Sequence, residues 1–167
     1  MHGFQLWANL PSSLKMTSPR YQDIHSGEIP AVTEDDGTSV RILCGNFWGK
    51  TGPVEGVAAD PRYLDVLVPA GITRTLPVEV DRHAFAYVFE GSGWFHAASA
   101  PRGVLVEDLA TDRVVRAAPA ADRHLVVFDR GDEIRVTAGP GGLRFLLASG
   151  RPLGEPVAWH EIGRAHV

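Results

Sequence analysis

Residues 63–95 read YLDVLVPAGITRTLPVEVDRHAFAYVFEGSGWF. Short apolar runs are broken here by Pro, Gly and Asp, the spacing of strands and turns. Within YLDVLV, Leu64, Val66 and Val68 share one face and Tyr63, Asp65 and Leu67 the other, the period-2 pattern of a half-buried strand. Gly91 and Gly93 in GSG can take positive φ, which predicts a tight turn and makes AFAYVFEGSGWF a hairpin.

The same pattern extends outward through VRILCG, GVLVEDL, HLVVFDRGDEIRV and LRFLLASGRPL, with a second glycine turn, GPGG, at Gly139–Gly142. Glu107 and Asp108 are expected at a solvated turn. Such spacing predicts an all-β antiparallel sandwich or barrel without a helix of three turns. At the other end, HGFQLWANL (2–10) sets Phe4, Leu6 and Leu10 against Gln5, Trp7 and Asn9 and reads as a strand removed from its sheet. Pro11, Pro19, Gly27 and Pro30 then break the chain into a turn-rich connector.

Composition narrows the function classes. With 44% hydrophobic and 22% charged residues, the chain has the balance of an ordinary globular protein rather than a disordered one. No apolar run approaches the roughly 18 residues a spanning helix needs, and no signal pattern opens the chain, so the default compartment is the cytoplasm. Cys44 is the single cysteine, which excludes an intrachain disulfide and argues against a thiolate metal site. The formal charge is −4, and the 16 Lys and Arg residues are scattered singly, so neither nucleic acid nor a membrane is expected as a direct partner.

The opening HGFQLWANLPSSLKMTSPRYQDI closely resembles the signature of the pirin family, in which a strand ending the first of two cupin barrels runs into the bridge to the second. IPAV, DGTSVRILCGN, YLDVLVPAG, AYVFEGSG and FLLASGRPLGEPVAW follow in the order of that family's second barrel. The resemblance implies a bicupin fold: residues 1–10 as the terminal strand of the N-terminal cupin domain, 11–36 as the interdomain connector and 37–159 as the C-terminal cupin domain. Residues 160–167, HEIGRAHV, depart from the family. Ile162–Val167 matches the translation of ATC GGA AGA GCA CAC GTC, which resembles a sequencing-adapter end, so this tail is expected to be non-native. Met1, immediately before the signature, is expected to be an internal methionine taken as a start.

The same resemblance implies a mononuclear iron site (Fe2+ or Fe3+) in the first barrel, built from a His-x-His pair and a later His-x-Glu pair, all upstream of Met1. The catalytic, cofactor-binding and metal-ligating residues expected in this chain are therefore none, and iron is expected only in the full-length parent. Laying the cupin motif Gly-x5-His-x-His-x(3,4)-Glu-x6-Gly onto Gly71–Gly91 puts Pro77 and Glu79 at the histidine positions and Ala84 at the glutamate position. The histidine of the second motif, counted from Gly131, falls at Gly142. Three or four converging donors are needed for a borderline metal, and one Glu does not provide them.

Other chemistry-bearing residues offer weaker cases. A hairpin would bring His83 and His96 within reach of each other, with Glu79 and His124 as further donors; the plain reading is rim residues at strand ends. His2 lies beside the family's site without being a ligand, and Cys44 reads as a small buried hydrophobe. Glu34-Asp35-Asp36 before Gly37 reads as a solvated turn. No nucleophile elbow, Walker loop or dinucleotide fingerprint is present.

Two functions compete. In one, the parent is an iron-binding quercetin 2,3-dioxygenase-type oxygenase or a redox-sensitive regulator, with a flavonol as small-molecule partner, and this chain is its inactive half. In the other, the chain is a protein-binding or scaffold cupin module. Its orphan apolar strand (Phe4, Leu6, Trp7, Leu10) then predicts a protein partner or self-association.

Overall fold

The computed structural model describes residues 3–58, 60–99, 101–103, 113–114 and 119–156. The expected non-native tail, His2 and most of GVLVEDL lie outside the described residues. Within them the only helical elements are two 3-10 turns, Ser12–Leu14 and Ser26–Glu28.

Everything else that is regular is strand. In chain order these are β1 (Ala31–Thr33), β2 (Ser39–Cys44), β3 (Asn46–Phe47), β4 (Lys50–Thr51), β5 (Arg62–Val68) and β6 (Thr73–Pro77). There follow β7 (His83–Phe95), β8 (Arg102–Gly103), β9 (Arg113–Val114), β10 (Ala120–Ala121), β11 (His124–Val127) and β12 (Glu133–Gly150). The main sheet runs β1-β2-β5-β12-β7-β11-β8-β9, with β6 also on β12 and β10 also on β7, while β3 and β4 pair separately.

The two long strands organise this sheet, because each changes partner along its length. β12 pairs through Glu133–Thr137 with β6 and through Leu143–Ser149 with β5, and it runs beside β7 along both stretches. β7 pairs through Phe85–Val88 with β11 and through Ser92 and Gly93 with β10. Strands that pass between neighbours in this way fold one antiparallel sheet into two facing layers. Leu64, Val66 and Val68 are fully buried, as their alternation predicts, and meet Ile42, Leu76 and Phe145 in one core. Phe95 meets Phe145 edge-on with ring centroids 5.2 Å apart.

The expected hairpin at Gly91–Gly93 does not form; β7 continues straight through it. The register shifts instead: Ala138 faces Gly93 and Leu143 faces Gly91, so residues 139–142 bulge opposite Ser92. Gly91 has φ +75°, and a Cβ there would overlap the Gly142 carbonyl. These glycines therefore permit a close crossing and a bend, not a reversal.

The segment read as a strand removed from its sheet finds no sheet among the described residues. Residues 3–10 have no ladder partner and lie over the outer face of the sheet. Phe4 stacks on Tyr87 and Phe89, with centroids 5.8 and 4.9 Å apart. Contacts such as those of the Phe4 ring, not backbone pairing, hold this largely exposed segment. The sheet itself begins at Ala31, inside the stretch read as connector.

Candidate functional site

Of the cupin motif positions, Pro77, Glu79 and Ala84 lie where β6 ends and β7 begins, beside the start of β5. Arg62 opens β5 in register with Leu64, Val66 and Val68, so it belongs to the inner face. Its guanidinium lies over the buried Phe47 ring, 5.5 Å from the centroid. It also donates to the Pro77 carbonyl at 3.2 Å and pairs with Glu79. Desolvation by burial lowers the Arg62 pKa from its ordinary value, opposed by the neighbouring Glu79 carboxylate.

Glu79 is shared. Arg82, whose side chain is only 10% exposed, brings Nε to 3.3 Å from Glu79 Oε2. Arg82 also donates to the Asp60 carbonyl and, at 2.6 Å, to the Asp60 carboxylate. Arg151 lies 3.4 Å from Asp81 at the rim of the same cluster. Two guanidiniums thus face the one carboxylate that stands at a motif position.

The remaining expected donors do not converge. His83 opens the 13-residue β7 and His96 directly follows its other end, so the hairpin that would have joined them is missing. His96 Nε2 is 2.8 Å from Thr137 Oγ1, and His124 Nδ1 is 3.0 Å from the Ala121 carbonyl. Among the described residues no three His, Cys, Asp or Glu side chains come together. Ala84 lies in the core and Gly142 in the bulge.

Cys44 is buried, and its Sγ lies 3.4 Å from the Val54 carbonyl. Burial pushes its thiol pKa up. In the acidic turn, the Thr38 N–H donates to Asp36 Oδ1 at 2.8 Å, while Arg74 bonds Glu34 at 2.5 Å and stacks over Trp48 at 4.8 Å. The Thr38 backbone bond is the chief cause of the lowered Asp36 pKa, with the Arg74 charge adding to it. The turn is a structural tie between the β1–β2 connection and β6.

Residues 63–161 match the family described as the Pirin C-terminal cupin domain. The chain belongs to the pirin family. A pirin-like protein of Caulobacter vibrioides is 40% identical to it over 162 residues, covering 96% of this chain and 51% of that protein. A Pseudomonas aeruginosa protein, provisionally named a quercetin 2,3-dioxygenase, is 31% identical, covering 94% of this chain and 50% of its own length. The chain spans about half the length of the curated relatives it matches. A solved quercetin 2,3-dioxygenase of Acinetobacter baumannii superposes with a TM-score of 0.73 at 22% identity, covering 92% of this chain and 47% of that one, which establishes the cupin-type fold.

The iron expected from the resemblance does not fit the side chains at the motif positions. Pro77, Ala84 and Gly142 have no donor side chain, and Glu79 is already paired with two guanidiniums. The motif overlay found those positions. Arg62 and Arg82 stand outside the motif spacing, although an Arg on the apolar parity of Leu64, Val66 and Val68 signals a buried cation.

Proposed function

We propose that this pirin-family chain is the second-cupin part of a longer cytoplasmic protein and is not itself an oxygenase. The whole protein would hold iron in its other half and act as a quercetin 2,3-dioxygenase-type oxygenase or as a redox-sensitive regulator. Supporting this is one observation: the cupin ligand positions carry Pro77, an Arg-paired Glu79, Ala84 and Gly142. The role left to the chain is architectural, presenting the outer face of β5, β7 and β12. Iron content and oxygen uptake on quercetin, measured for this chain and for the full-length protein, test the division. Iron and uptake are expected in the full-length protein alone; stoichiometric iron or uptake in this chain overturns it.

A second reading, a protein-binding or self-associating module, has its own observation. Trp7 is 84% exposed, and next to it Phe4 and Leu6, each about two-fifths exposed, line a groove of about 320 Å³ together with Tyr63, Phe85, Tyr87 and Leu146. A contiguous apolar surface of this kind favours association. Light scattering across a concentration series is expected to show oligomers that Trp7→Ser reduces. A clean monomer at all concentrations refutes it.

A further inference from the structure

In a cupin mouth that holds a metal, acidic and imidazole donors face a cation. Here the carboxylate at the second histidine position, Glu79, faces Arg62 and Arg82 instead. The four charges balance: Asp60 and Glu79 against Arg62 and Arg82. Both guanidiniums are held from several sides, Arg62 by the Pro77 carbonyl and the Phe47 ring, Arg82 by the Asp60 carbonyl and carboxylate. A divalent cation placed at Glu79 would meet two fixed positive charges a few ångströms away with no imidazole to compensate.

We propose that Arg62 and Arg82 are a built-in replacement for the cation: they neutralise Glu79 and tie the start of β5 to the β6–β7 connection, as a bound metal would tie its ligands. Planar guanidiniums suit the task because each satisfies carboxylate and carbonyl acceptors simultaneously in a half-buried place. This rests on the metal-free reading of the chain given above.

The experiment follows thermal unfolding of the 167-residue chain, its Glu79→Gln and Arg62→Met variants and their double variant, each with Co2+ or with EDTA. Each single variant is expected to lower the melting temperature by roughly 3–8 °C, since it strands the partner charge, and the double variant by less than the sum. Neither Co2+ nor EDTA should move the wild-type melt, since no donor set converges at Glu79. Single variants that melt with the wild type, or a double variant that costs the full sum of the two, overturn the replacement while leaving the metal-free reading intact. Should the wild type keep a full equivalent of Co2+ after dialysis and Glu79→Gln keep it too, the metal-free reading fails and the guanidinium network survives. Loss of that equivalent in Glu79→Gln overturns both.

Discussion

Arg144 closes on Asp65 through two parallel bonds, Nε to Oδ1 at 2.9 Å and Nη2 to Oδ2 at 2.6 Å. The pair joins β12 to β5 on the outer face, with the guanidinium stacked over Phe89 at 5.2 Å. Hydrogen bonding to Asp65 is the main reason the Arg144 pKa is raised. Geometry of this kind makes an ion pair matter where most surface pairs do not.

Asp65→Ala is expected to cost about 2 kcal/mol, because it leaves the guanidinium without its two acceptors; a third of the Arg144 side chain remains in water, which holds the figure below that of a fully buried pair. Urea unfolding at neutral pH measures it. Adding Arg144→Ala should cost at least about 0.5 kcal/mol less than the sum of the two single changes. Strict additivity would mean the pair contributes nothing.

Gly91→Ala tests the crossing of the two long strands. The new methyl would strike the Gly142 carbonyl at a residue whose φ is +75°, so a loss of about 2 kcal/mol or more is expected. Gly141→Ala, with open space around it, is the matched control and should unfold within about 0.5 kcal/mol of the wild type.

Asp36 contributes to the acid limb of stability. Its folded pKa lies below the ordinary carboxylate value, so its contribution is complete above about pH 4 and disappears as the pH falls through the folded value. Asp36→Asn, which still offers an oxygen to the Thr38 N–H but carries no charge, should be less stable than the wild type at pH 7 and converge with it as the pH falls below about 4, so that its acid decline is flatter. An unchanged acid slope in equilibrium unfolding would count against the assignment.

Cys44 should be slow towards thiol reagents. Its sulfur is buried and its pKa raised, so the protonated thiol contributes stability below its ordinary pKa that is lost as pH rises through the folded one. With Ellman's reagent at pH 8, the native chain is expected to react at least ten-fold more slowly than the urea-unfolded chain, on the order of the protection burial gives. Equal rates would place the thiol at the surface.

Local alternation made the core legible: Leu64, Val66 and Val68 are where their spacing put them. Glycine was ambiguous, because positive φ serves a turn and a bulge equally, and only the approach of Gly142 to Gly91 decides between them. That one ambiguity also misplaced His83 and His96, which a hairpin would have joined. At the amino terminus, Phe4 and Leu6 alternate as a strand does, yet ladder bonds require a partner the alternation cannot name. The ligand positions could be counted from the motif. The pairing of Arg62 with Glu79, across 17 residues and two strand ends, could not.

The central position of β12 has a consequence for synthesis. It is the last described strand, yet β5, β6 and β7 all pair with it. A growing chain therefore carries those three strands with open edges until residue 150 has left the ribosome. Nascent molecules arrested before that point should be held by chaperones or lost to aggregation, and the final ladder, from Leu143 opposite Val68 to Ser149 opposite Arg62, should be the slow step of refolding from denaturant.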